Sequence, residues 1–292
     1  MKMPFKTLIA GALALTVMTA QFAHAQTAAS AAPEVTNSDQ LWYRVQPQSH
    51  DPFIVNKKGA AVDVNKNMLH YEHSDTGGLV WNSLTVTGLF AVKSERSWSG
   101  GGAKEIYSTY RGDISRTGFG GKPITAPFIS DIMFEFGGDV NYKDDDYKAR
   151  RRFVVAGPII YFDVPGSLTW AIHAAKEWNH NGISHTQDDY DATWNSELSY
   201  TQYFDKDHMW RLDGVFNVTG QKGKDGLGIK TKTEFYTYNT IVLDVGQALK
   251  KEPGKYDLFV GFQYWYNKFG YPVKGDPGAL EFTPYVGMGI HF

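Results

Sequence analysis

From Leu79 to Phe292 the chain breaks into segments of roughly 10–14 residues in which apolar and polar side chains alternate, with turn-rich stretches between them. A period of two places alternate residues on opposite faces of a strand, whereas a helix would mix them. From Ser130 to Tyr142 one face carries Ile132, Phe134, Phe136, Val140 and Tyr142, and the other Asp131, Glu135, Asp139 and Asn141. Tyr190 to Phe204 sets Trp194, Leu198, Tyr200 and Phe204 against Asp191, Asn195, Glu197 and Tyr203. In His208 to Val218, Trp210, Leu212, Phe216 and Val218 oppose Arg211, Asp213 and Asn217. Lys230 to Val245 separates Phe235, Ile241 and Leu243 from Lys232, Glu234, Tyr236 and Tyr238. Tyr256 to Asn267 places Leu258, Val260 and Phe262 against Asp257, Gln263 and Trp265.

Two all-β architectures produce this pattern. In a soluble sandwich the apolar face is the core. In a transmembrane barrel it meets lipid and the polar face lines the lumen. Three features favour the barrel. The segments suit tilted spanning strands of about 9–11 residues. Aromatics gather near segment ends, as in Tyr264-Trp265-Tyr266 and in Tyr200 with Tyr203-Phe204, which suits interfacial girdles. Tight connectors, Asp163 to Gly166 and Asp205 to Asp207, alternate with the longer polar stretches Lys93 to Ala103, Asn179 to Asp189, Thr219 to Gly228 and Lys268 to Ala279. Short periplasmic turns and longer extracellular loops are the habit of such barrels. Arg116 to Ile129 is a long connector on the side expected to be periplasmic and breaks that habit.

The N-terminus carries Lys2 and Lys6, an apolar stretch from Leu8 to Ala20, and Ala23-His24-Ala25. That is the form of a secretory signal, and the apolar run is too short for a spanning anchor, which needs about 20 residues. The expected organisation is a signal peptide over residues 1–25, a flexible mature N-terminus over 26–40, and one barrel domain over 41–292. Removing Lys2 and Lys6 from 29 basic residues leaves 27 against 31 acidic ones, so no basic excess points to nucleic acid. The absence of cysteine excludes disulfides and thiolate metal sites. No cofactor is expected, and the location expected is the bacterial outer membrane. Leu280 to Phe292 alternates and stops on an aromatic residue, which resembles the signal read by the barrel-assembly machinery, an expected partner together with outer-membrane lipid.

Several stretches together resemble the nucleoside-specific (Tsx-like) channel family of outer-membrane proteins. They are Asn67 to His73 followed by Val80 to Phe90, Ala126 to Asp131, and Phe162 to Gly166. The most specific are Leu243 to Leu249, then Pro253-Gly254, then Gly261 to Gly270. Leu41 to Ala60 has no counterpart. The resemblance implies a monomeric barrel of about twelve strands with a narrow, aromatic-containing lumen that passes nucleosides. It also implies that such a barrel can serve as a phage or colicin receptor. The alternation itself supplies ten clear strands from Leu79 and an eleventh at Asn65 to His73. A twelfth is demanded by the even count of bacterial barrels and must come from Leu41 to Ala60; ten strands is the alternative count.

The expected lumen set is Glu135, Asp139, Glu197, Arg211, Asp213, Lys232, Glu234 and Asp257, with Tyr203, Tyr236, Tyr238 and Trp265 on the same faces. A lumen of one sign selects counter-ions, whereas this mixture suits a neutral polar solute. Aromatic faces can stack bases, worth about 1–3 kcal/mol each in nucleic-acid binders. The same rings could equally pack among themselves or form the rim. A general small-solute pore and a surface receptor remain the alternatives. His173, His180, His185, His208 and His291 are scattered without metal-ligand spacing. Ser167, His173 and Glu177 share one strand face, but an enzyme is not expected. Arg150-Arg151-Arg152 is read as a solvated strand start, or more sharply as a lumen rim with Arg150 and Arg152 on one face.

Overall fold

The computed structural model describes residues 36–91, 103–144, 148–182 and 184–292. The expected signal peptide, the first part of the expected flexible segment and nearly all of the expected loop from Lys93 to Ala103 lie outside the described residues.

Twelve long strands form the wall: β1 (Thr36–Ser49), β2 (Val64–Thr76), β3 (Val80–Ala91), β4 (Lys104–Ile114), β5 (Ile129–Asp144), β6 (Arg150–Phe162) and β7 (Ser167–Asn181), then β9 (Thr193–Tyr203), β10 (Trp210–Thr219), β11 (Glu234–Asp244), β12 (Tyr256–Tyr266) and β13 (Leu280–His291). Between β7 and β9 a short strand, β8 (Thr186–Asp189), folds back on the end of β7 as a hairpin. Each long strand pairs antiparallel with its chain neighbour, β7 pairs with β9, and β1 pairs with β13 from Gln40↔His291 to Val45↔Val286. The sheet is therefore a closed twelve-stranded antiparallel barrel, with no free edge on the long strands.

The twelfth strand lies in the segment where the sequence pattern was weakest. It begins earlier than expected, because Thr36 to Gln40 are paired to β2 and are not a flexible leader. Its inward residues Gln40, Trp42, Arg44 and Gln46 alternate with Leu41, Tyr43 and Val45. The alternation is cut short at Pro47, which has no N–H to donate, where the register shifts between Gln46 and Ser49.

Burial runs opposite to that of a soluble protein. On β13 the side chains of Glu281 and Thr283 are fully buried, while Val286 and Met288 are 55% and 58% exposed. Leu258, Val260 and Phe262 of β12 face out, and Asp257 and Gln263 face in. Leaving a large apolar side chain in water forfeits about 1.5–3 kcal/mol relative to burying it. An exterior made of such residues is stable only against lipid, which decides between the two architectures in favour of the membrane barrel. No described helix is long and apolar enough to cross a membrane.

The two ends differ. At the end that holds the start of β1 and the end of β13, the connectors include Gly77 and Gly78, both with positive φ, and the Asp163 to Gly166 turn. Another is a helical turn (Val245–Ala248) capped by Asp244, whose carboxylate accepts from the backbone of Gln247 at 2.9 Å and of Gly254 at 2.6 Å. Residues 115–128 make the long connector at this end; Gly118 approaches the backbone of Gly78 so closely that a Cβ would lie 2.4 Å from its carbonyl oxygen. The opposite end carries the longer loops and is the extracellular one by the usual asymmetry.

Candidate functional site

The inner face encloses a cavity of about 700 Å³ whose lining runs from Gln40 and His291 at the periplasmic end to Asp51 and Lys268 at the extracellular end. Its two sides differ in chemistry because the inward positions of the two halves of the sheet differ in sequence.

Strands β4 to β7 and β10 present ion pairs. Arg111 donates to Asp139 at 2.7 Å, and the Tyr107 hydroxyl donates to the same carboxylate at 3.0 Å. Nε2 of His173 lies 2.7 Å from Glu135. Arg151 contacts Glu177 at 3.0 Å. Arg211 bridges Asp213 at 2.9 Å and Asp257 of β12 at 2.5 Å. Alternation places these groups inside, and their pairing satisfies charges that would be costly to bury alone.

Strands β1, β2 and β11 to β13 present rings. Trp42 stacks on His70 with centroids 3.9 Å apart and meets Phe259 edge-on at 5.9 Å. Phe259 approaches Tyr285 at 6.4 Å. Tyr236 lies 4.9 Å from Trp265 and 6.1 Å from Tyr238. Glycine makes room for this wall: a Cβ on Gly287 would lie 2.4 Å from the Phe259 ring, and one on Gly261 would lie 2.7 Å from the Tyr285 ring.

Two loops fold into the extracellular mouth. Lys222 is fully buried, 2.7 Å from Glu177 and 3.9 Å from Glu234. Lys268, just past β12, lies 2.8 Å from Asp51 and 2.6 Å from Glu281. Asp51 also receives Lys66 and Lys143, each at 2.9 Å. Burial works against the charge on Lys268, but Asp51 and Glu281 outweigh it and hold its pKa above the ordinary lysine value.

Of the residues expected in the lumen, Asp139, Glu197, Arg211, Asp213, Glu234, Tyr236, Tyr238, Asp257 and Trp265 line the cavity. Glu135 faces inward but is buried beside His173, behind the lining. Two expectations need correction. Lys232 is an exposed loop residue whose backbone N–H donates to the Gly270 carbonyl at 2.8 Å; the strand begins only at Glu234, and the alternation in the sequence continues beyond the paired residues. Tyr203 has the inward parity but ends β9 at the periplasmic mouth, exposed and stacked on His208 at 4.2 Å. Arg150 and Arg152 do share a face, but it is the outer one, with Arg151 inside.

Ser167, His173 and Glu177 all face inward, but they sit six and four residues apart on one strand, about 20 Å and 14 Å at about 3.4 Å per residue, too far apart for a triad. Among the described residues no group of three or more His, Asp or Glu is arranged to hold a metal ion. Trp42, Arg44, His70, Phe259, Tyr285, Lys222 and Lys268 were not anticipated. The first five follow the same inward parity and were legible in principle; the two lysines are not strand residues.

No protein-family model matches the sequence, and no curated protein matches it. Solved structures to which it is similar include an outer-membrane channel from Pseudomonas putida F1, at 11% identity and a TM-score of 0.48, covering 90% of this chain and 97% of that one. The NanC porin is similar at 9% identity and a TM-score of 0.47, covering 87% and 99%. The translocator domain of the autotransporter NalP from Neisseria meningitidis is similar at 12% identity and a TM-score of 0.43, covering 88% and 89%. Similarity this low leaves any function to be argued from the side chains of this lumen alone.

Proposed function

We propose that the chain is a monomeric outer-membrane channel for passive diffusion of small polar solutes that carry a flat ring, nucleosides first. The observation that carries this proposal is the two-sided cavity: rings along one wall, paired charges of both signs along the other. A flat solute can slide over the rings while its hydroxyls and ring nitrogens exchange hydrogen bonds with the polar wall. Each contact is weak and repeated, as conduction requires, since a single tight site would retain its passenger. Barrel width grows with strand number, so about twelve strands enclose space for small solutes only.

The test is a titration in planar bilayers. Adenosine or thymidine should reduce ion current at millimolar or lower concentration, with glucose inert. Equal responses to adenosine and glucose would leave a general small-solute pore, and a barrel without conductance would favour a surface receptor.

A further inference from the structure

Among the described residues, the arginines and lysines lining the lumen are matched to carboxylates with one exception. Arg111, Arg151 and Arg211 each lie within 3.0 Å of a carboxylate, and so do Lys66, Lys143, Lys222 and Lys268. Arg44, midway along β1 and on the cavity wall, has no carboxylate within ion-pair distance among the described residues. Its Nε donates to the Met68 sulfur at 3.0 Å and one terminal nitrogen donates to Gln263 at 3.2 Å. The carboxylate beyond Gln263 is Glu281, which already holds Lys268 at 2.6 Å. The guanidinium carbon stands 4.5 Å from the centroid of Tyr285 and 5.6 Å from that of Trp42. Arg44 itself is only 6% exposed, so water does little to compensate its charge.

A buried guanidinium satisfied by neutral partners is poised to take an anion, and its planar fork matches a carboxylate. The groups around it add a second requirement. Trp42, His70, Phe259 and Tyr285 form a continuous aromatic surface beside the charge. We propose that Arg44 and this surface form an anion subsite in the lumen that takes aromatic monocarboxylates, so that a ring bearing a carboxylate binds more tightly than a neutral ring of the same shape. This subsite rests on the channel function proposed above and refines its preference among ring-bearing solutes.

Benzoate and benzamide, matched in shape, test the proposal in single-channel recordings of the refolded mature barrel at neutral pH, with acetate as the charge without the ring. Benzoate should halve the current at a concentration about tenfold below that of benzamide, the scale of one charge-assisted hydrogen bond. Acetate should be weaker than benzoate. Arg44→Gln should bring benzoate and benzamide together. Arg44→Lys keeps the charge without the fork and should give an intermediate ratio; it also serves if Arg44→Gln does not fold. Equal potency of benzoate and benzamide in the unmodified pore overturns the proposal without any variant. A benzoate preference that survives both substitutions undiminished overturns the assignment to Arg44. A barrel that passes no current in potassium chloride overturns the channel function itself, whereas a conducting pore indifferent to the carboxylate overturns this subsite alone.

Discussion

Substituting Lys268 with Met should strand a buried carboxylate and destabilise the extracellular mouth. Lys268 is held by Asp51 at 2.8 Å and by Glu281 at 2.6 Å, and both carboxylates are largely buried. Removing one partner of a buried ion pair costs about 3–5 kcal/mol, because the other charge is left without compensation. Asp51 would keep Lys66 and Lys143, each at 2.9 Å, so the stranded charge is mainly that of Glu281, left with hydrogen bonds from Gln46, Gln263 and the backbone N–H of His50. The lower end of the range applies, about 3 kcal/mol, or roughly a hundredfold in the folding equilibrium. Equilibrium unfolding by guanidinium in lipid vesicles, followed by tryptophan fluorescence, would read this. The double variant Lys268→Met/Glu281→Gln removes the stranded charge and should recover most of the loss, to within about 1 kcal/mol of the unmodified barrel. A single variant as stable as the parent, or a double variant no better than the single, would refute the view that this pair holds the loop in the mouth.

The pair keeps Lys268 charged beyond the ordinary lysine pKa of about 10.4, so its stabilisation is complete below that pH and fades only as pH rises through the higher folded value. The Lys268→Met deficit should accordingly be constant between about pH 6 and about pH 9 in the same unfolding assay. Tyr236→Ala or Tyr238→Ala should weaken the block by adenosine in bilayer recordings, and unchanged sensitivity in both would remove these rings from the pathway. Val260→Arg, on the lipid face of β12, should cost about 2–4 kcal/mol of barrel stability if it lies near the bilayer midplane, and a neutral outcome would argue against a lipid-facing exterior. Gly287→Val should lower the folded yield, because its Cβ would meet the Phe259 ring at 2.4 Å and the Tyr43 carbonyl at 2.3 Å; normal yield on a folding gel would contradict that packing.

Strand parity carried most of this architecture. Asp257, Gln263 and Trp265 inside, with Leu258, Val260 and Phe262 outside, follow from counting by two. Parity fails where a strand ends or bulges, because the count continues on paper after the pairing stops. Counting by two beyond the start of β11 puts Lys232 in the lumen, and Pro47 obscures β1 in the same way. The mouth was illegible for a different reason. Lys222 and Glu177 are 45 residues apart, and Lys268 and Asp51 are 217 apart, so the burial of each lysine depends on partners that only barrel closure supplies. The exceptional state of Arg44 is of the same kind, since it depends on which carboxylates the other strands bring within reach. Inward orientation was readable in the sequence; compensation of charge across the lumen was not.

The most direct test of a water-filled pathway through this barrel is single-channel recording of the refolded barrel in planar bilayers in potassium chloride alone. Discrete, reproducible conductance steps from single insertions are expected, small in size because a cavity of about 700 Å³ crowded by paired side chains admits few ions at once. Folded, inserted protein that passes no current across the bilayer would contradict the channel and leave a closed barrel with a receptor or structural role.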